Sequence, residues 1–285
     1  MPIEDFIIKV YVCVDDFLEK AGKFRKRGPS PKLTGSEILT MEFVGEFLGF
    51  GSDKAIFDYF KNHWQPWFPK LGCRTTFTRQ ASNLCSIKEK LWRFLLSEIP
   101  HSDLYLFDGF PIPTCNIKRV RRKNPFLGHA DFGYCAAKDE KYFGFKGHLL
   151  TNQNGVIVDF ELTAANEDEQ NALEYLAVPN TTIIADKALL GAPLKQRLLE
   201  EKQVNLQTPL RKNMKDNWPK SFVNQIMNVR RKIETVIGQL AERFKIQQIR
   251  AKDLWHLNAK IQRKICSHTI AFFIAGSTLF DNIIS

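Results

Sequence analysis

The feature that most limits what this chain can fold into is a change of apolar period at Pro100. Before it, apolar residues recur every three or four positions, as one face of an α-helix requires; after it they come in short β-rich runs. Ile3, Phe6, Ile7, Val10, Val14, Phe17 and Leu18 share one helical face, followed by a basic stretch with Gly and Pro, 22–31, that reads as a linker or arm. Thr34-Gly35-Ser36-Glu37 has capping-box spacing and predicts a helix to about Leu48; Ser52-Asp53 opens another to about Asn62, and a third is expected over roughly Phe77–Leu96. Between them, the aromatic, proline-broken run from His63 to Pro69 reads as a packed corner. Residues 1–100 are therefore expected to form an all-helical N-terminal domain, and to be the DNA-binding domain that reads sequence. Short helices with Gly-containing turns are compatible with a DNA reader, and equally with any small bundle.

Residues 101–250 predict an α/β domain. Asp103–Phe107 reads as a strand ending at Asp108-Gly109. Phe143–Thr151 and Val156–Thr163 flank Asn152-Gln153-Asn154-Gly155, a hairpin signal. A helix at 166–177, a β-branched strand Thr181–Ala185 ending at Asp186, a helix at 193–202 and a strand at 204–209 complete a mixed sheet with flanking helices. A long basic helix follows, 222–246, whose apolar face carries Phe222, Ile226, Val229, Ile233, Val236, Ile237, Leu240 and Phe244. The adjacent stripe is Arg230, Glu234, Gly238, Ala241 and Lys245, so one carboxylate stands among cations. A C-terminal helical segment, 251–285, closes the expected partition.

Charge narrows the partner. The net charge is +10, with ten basic against three acidic residues from Arg230 to Lys264 and further clusters at 20–32 and 118–123. Three such clusters make nucleic acid the leading expectation. Six cysteines form no C-x-x-C pair, and no apolar leader with a cleavage site precedes them, which predicts reduced thiols in a cytosolic protein. No run reaches the ~18 apolar residues of a membrane span.

In α/β sheets functional groups gather at strand ends, and here two strands each deliver an aspartate after an apolar run. Asp108 and Asp186 are expected to meet, with Glu234 brought in by the helix packed on the sheet. Three converging carboxylates repel one another, and divalent cations hold them ionised. Mg²⁺ suits such oxygen ligands, and two ions about 4 Å apart serve phosphodiester chemistry. His129, Asp131 and His148 have metal-binding residue types but no helical ligand spacing, and are read as structural or DNA-contacting.

Three blocks, Leu106-Phe107-Asp108-Gly109-Phe110-Pro111, Ile183-Ile184-Ala185-Asp186-Lys187 and Arg230-Arg231-Lys232-Ile233-Glu234-Thr235, with Phe143-Gly144-Phe145-Lys146-Gly147-His148-Leu149 between them, resemble the DDE transposases of bacterial insertion sequences, most closely the insertion sequence 982 family. The resemblance covers about 104–244. It implies a ribonuclease-H-like catalytic domain, a triad at Asp108, Asp186 and Glu234, two Mg²⁺ or Mn²⁺ ions, cutting and rejoining at inverted repeats of double-stranded DNA, and a homodimer. The chain departs from that pattern at Met227 and Ala241, where relatives carry Tyr and Lys, and at Ala188-Leu189 after the second aspartate; Lys245 is the candidate substitute for the missing Lys. Arg230, Arg231 and Lys232 are expected on phosphates near the cut, and Lys118, Arg119, Arg121, Arg122 and Lys123 on the flanking duplex. Two alternatives remain open: a structure-directed nuclease on the same fold, and a transposase-derived DNA-binding protein that has lost its chemistry.

Overall fold

The computed structural model describes residues 1–22, 31–120, 124–135, 139–209 and 220–275. It divides into two compact units, Met1–Ile99 with Leu240–Ser285, and Pro100–Gln239.

The helical unit comprises α1 (Ile3–Ala21), α2 (Gly35–Phe47), α3 (Asp53–His63), α4 (Arg74–Asn83), α5 (Cys85–Ser97) and a late helix, Leu254–Ala275. The Thr34 capping box forms as its spacing predicts: Thr34 Oγ1 accepts from Glu37 N at 3.1 Å and Thr34 N donates to Glu37 Oε2 at 2.6 Å. Ser52 caps α3 by accepting from Ala55 N. The aromatic corner folds Phe68 onto Phe60, with ring centroids 5.1 Å apart, while Trp67 stays largely exposed. The single helix expected over 77–96 is two helices, broken at Leu84 (φ −90°, ψ 12°) after the weak helix formers Ser82 and Asn83. α2 is buried from Ser36 to Phe47 apart from Glu37, and its Glu42 and Glu46 face inward. Buried carboxylates need partners. Arg263 Nε binds Glu46 at 2.6 Å, its Nη1 reaches Glu42 and Asp53 at 3.0 and 2.7 Å, Lys264 Nζ binds Glu46 at 2.6 Å, and Lys88 Nζ binds Glu42 at 2.9 Å. The last helix thus belongs, over its described residues, to the same unit as the first hundred.

The second unit is mixed α/β with flanking helices, in chain order β1 (Leu104–Asn116), β2 (Asp131–Cys135), β3 (Glu140–Asn152), β4 (Ile157–Ala164), α6 (Glu169–Leu176), β5 (Thr182–Ile184), α7 (Ala192–Lys202), β6 (Asn205–Gln207) and α8 (Lys220–Glu242). By chain order the late helix is α9. The strands form one sheet, β2-β3-β1-β5-β6, with β4 also on β3. β3 is antiparallel to β1, β2 and β4; β5 is parallel to β1 and β6 to β5. The hairpin forms at the Asn-Gly signal, where Asn152 Oδ1 accepts from Asn154 N and Val156 N and Gly155 takes φ 88°. On one face Tyr105, Phe107, Leu150, Ile183 and Leu206 pack with Leu173 and Leu176 of α6 and Leu194 and Leu198 of α7. Strand alternation turns Leu106 and Asp108 to the opposite face, where α8 lies near the β3–β4 turn: Val236 approaches Gly155, and Lys232 Nζ donates to Gln153 O at 2.9 Å.

β1 does not end at Asp108. It pairs with β3 to Asn116, through Pro111 and Pro113, with a bulge between Pro113 and Cys115. Beyond Leu106 its other side has no β5 partner. Prolines two apart present their missing N–H groups to one side, where an edge tolerates them.

Candidate active site

Backbone pairing sets the level of the two aspartates. Leu106 pairs with Ile184 in the parallel β1–β5 ladder, and Asp108 and Asp186 each follow two residues later, on the same face. Asp108 stands opposite Leu149 in β1, and its Oδ1 accepts from Gly109 N at 2.8 Å. Burial pushes its carboxyl up to about 6; the Gly109 N–H and the Arg230 charge work against that, while Asp186 and Glu169 add to it. Asp186 lies just past β5, where its Oδ1 accepts from Lys187 N at 2.7 Å and caps a short 3-10 turn, Lys187–Leu189.

Glu234 comes from α8, one turn after Arg230. The Arg230 guanidinium stands 3.0 Å from Asp186 Oδ1 and 3.7 Å from Glu234 Oε1, with its side chain 18% exposed against 30% for Asp186 and 55% for Glu234. Arg230 is therefore a shared counter-charge, and its Nε is buried without a partner among the described residues. In this structure it is turned to the carboxylates. Arg231 and Lys232 do lie exposed on α8. Among the described residues no three His, Cys, Asp or Glu side chains gather closely enough to hold a metal ion; between Asp186 and Glu234 it is a guanidinium that supplies the positive charge.

The basic run after β1 is not drawn into this cluster. Lys118 and Arg119 sit in a 3-10 turn, Ile117–Arg119, after eight further strand residues, roughly 26 Å along β1 from Asp108. Arg121, Arg122 and Lys123 lie outside the described residues. His129, Asp131 and His148 likewise do not assemble: Asp131 accepts from Asn166 Nδ2 at 2.9 Å, whereas His148 is buried and stacked on Phe107, centroids 5.9 Å apart.

Two side chains beside Gly109, Glu169 and Lys146, were given no role in the sequence reading, and His148, read there as structural or DNA-contacting, is buried next to them. Glu169 opens α6, and its Oε1 lies 3.2 Å from where a Cβ on Gly109 would stand; Lys146 Nζ is 3.3 Å from that oxygen. His148, opposite Gly109 in the ladder, binds Thr163 Oγ1 through Nε2 at 2.9 Å, and burial, helped by Lys146, lowers it to about 4, so it is neutral at physiological pH. The available signal was Lys146 and His148 two apart on one strand face, opposite a glycine that leaves room for a helix end.

A sheet that levels two carboxyls, one desolvated and above its usual range, and a helix that adds a third beside an arginine can attract a cation and a phosphate together. The family model described as the transposase DDE domain matches residues 100–254, more than half of the chain. No curated protein and no solved structure gives a significant match. Because that match spans both aspartates, Arg230 and Glu234, the chain belongs to the family of transposase DDE domains.

Proposed function

We propose that this chain is a DNA transposase of a bacterial insertion sequence, of the 982 type, that cleaves at the element's inverted-repeat ends and joins the freed 3′-hydroxyls to target DNA. The observation that carries the reading is the common level and face of Asp108 and Asp186, with Glu234 facing Asp186 across Arg230, inside the family match. The antiparallel β1, β3 and β4 followed by parallel β5 and β6 support a ribonuclease-H-like sheet. No helix among the described residues is long and apolar enough to cross a membrane, consistent with work on the nucleoid.

DDE transposases generally use divalent metals; the three carboxylates do not gather closely enough in this structure to hold one, but their oxygen chemistry suits it, and Asp108 is desolvated beside like charges, a state that a cation relieves. Asp108, Asp186 and Glu234 would hold two Mg²⁺ or Mn²⁺ ions, which supply activation of an oxygen nucleophile and charge for the leaving oxygen. The protein's own part is positional. Hydrogen bonds from Gly109 N and Lys187 N orient the two aspartates. Arg230 pairs with Asp186 at 3.0 Å, and gives Glu234 up without a large cost, since that contact is long and exposed. Arg231 and Lys232 grip backbone phosphates beside the cut, and the run from Lys118 to Lys123 the flanking duplex, giving affinity without sequence readout. Two ends cut together imply a homodimer on DNA.

The test is Mg²⁺- or Mn²⁺-dependent cleavage of a labelled duplex carrying the element's end, against a scrambled duplex, by wild type, Asp108→Ala and Glu234→Gln. Specific nicking and strand-transfer products lost in both variants are expected. Cleavage that survives Asp108→Ala would sink the assignment, and cutting of branched substrates without joining would move it to a nuclease.

A further inference from the structure

The helical unit contains a cleft of about 360 Å³ lined by α4, α9 and the segment before α9. It is lined by Arg250, Lys252, His256 and Lys260, by Thr78 and Ser82 of α4, and by Asp53 and the buried Lys88, Arg263 and Glu42. Five cations thus face two carboxylates. The carboxylates are already engaged: Glu42 holds Lys88 and Arg263, and Asp53 holds Arg263. Burial works against the Asp53 charge, but Arg263, with Lys260 and Lys88 behind it, keeps that carboxyl below its usual range.

The excess charge at the mouth is therefore not consumed within the protein. Arg250 and Lys252 are exposed, and neither makes an ion pair with a described residue. Lys260 Nζ donates to Arg250 O at 2.8 Å and so fixes the segment that bears them. Asp253, the nearest further carboxylate, accepts from the backbone and ring of His256. Thr78 and Ser82 lie four apart on α4, so both hydroxyls share one helix face. Cations and hydroxyl donors that line one pocket match a phosphate group, whose oxygens accept from both.

We propose that this cleft takes a backbone phosphate of the duplex that the protein binds, placing α4 against the DNA. The proposal rests on the transposase reading above, and assigns the helical unit a contact apart from the carboxylate site. Phosphate contacts position without reading sequence, so the cleft's contribution should be the same on end-containing and scrambled duplexes.

The test is fluorescence anisotropy of the full chain on both duplexes over a salt series, comparing wild type with Arg250→Gln/Lys252→Gln and with Lys252→Glu. Both side chains are exposed and unpaired, so the thermal midpoint should not move. Expected are a roughly tenfold loss of affinity on both duplexes, a larger loss for Lys252→Glu, and a salt slope shallower by about one to two units. A parallel arm titrates inorganic phosphate at fixed ionic strength by thermal shift. A phosphate-induced shift that the double variant abolishes, with DNA affinity and slope unchanged, would assign the cleft to free phosphate and overturn the proposal. An unchanged slope with normal wild-type DNA binding overturns the cleft alone; no wild-type binding to either duplex overturns the transposase reading and the cleft's DNA role with it.

Discussion

Two clusters of charge, one in each unit, invert one another. In the helical unit Glu42, Glu46 and Asp53 meet Lys88, Arg263 and Lys264, three carboxylates against three cations, with nearly every member buried. In the α/β unit Asp108, Asp186 and Glu234 share one cation, Arg230, and Glu234 stands more than half exposed. The first cluster is closed, each charge answered from within the fold. The second is left negative, and its Asp108 carboxyl is raised to about 6, chiefly by burial, with the Asp186 and Glu169 charges adding to it. Balance marks a group of charges that supports the fold; imbalance marks one that awaits a partner.

The largest test of that contrast is in the closed cluster. Glu46→Gln strands Arg263 and Lys264 with too little counter-charge, and should cost about 3–5 kcal/mol in chemical denaturation. A loss below about 1 kcal/mol would show that the cluster is not closed in solution.

Asp108→Asn should do the reverse. The Asp108 carboxyl stands at about 6 in the folded chain against an ordinary 3.8, so the folded state holds its proton more tightly than the unfolded one. The stability this lends is complete below pH 3.8 and is lost as pH rises through about 6. At pH 8 the asparagine variant should therefore be more stable than wild type by ~2 kcal/mol, at pH 3.5 indistinguishable from it, and inactive at both. Millimolar Mg²⁺ should close the gap at pH 8 by stabilising wild type alone, and EDTA should reopen it.

Arg230→Gln sharpens the comparison from the other side. It removes the one cation among the described residues that pairs with the carboxylates, so Mg²⁺ binding, read by calorimetry at pH 7.5, should tighten several-fold, on the order of 1 kcal/mol, while cleavage falls. Weaker Mg²⁺ binding would mean that Arg230 orders the carboxylates and does not merely neutralise them. The smallest effect belongs to an exposed pair outside both clusters: Lys54→Met breaks the Lys54–Asp58 contact on α3 and should shift stability by less than ~0.5 kcal/mol.

Much of this was legible in the residues, because local chemistry carried it. The Thr34 box, the Asn152–Gly155 turn and the 3- and 4-residue apolar spacing of α1 and α8 are signals that tertiary contacts had no need to override. The mixed sheet with flanking helices followed from the order of periods. What stayed hidden depended on partners distant in sequence. Pro111 and Pro113 read as a strand's end, and only the absence of β5 beyond Leu106 makes them acceptable within β1. β2 shows its large residues, Phe132 and Tyr134, to solvent and needs Gly133 where a Cβ would stand 2.8 Å from Tyr142, so its pattern is out of phase with any core. At the candidate site, the two aspartates were visible as residue types after apolar runs, although Asp108 lies within β1 and not at its end. That Arg230 would turn inward to Asp186, or that Glu169 would arrive from α6 beside Gly109, was not, since helix-to-sheet docking sets both.

The two-residue step from Leu106 to Asp108, matched by Ile184 to Asp186, also bears on how a gene of this kind decays. Loss or gain of a single codon inside either step would swing one carboxylate to the α6 side of the sheet, together with the strand residues that share its register. The same accident in the stretch between α6 and β5 would pass unnoticed. Genes for chains of this family should therefore divide, by the position of one small lesion, into those that keep both aspartates on the α8 face and those that do not.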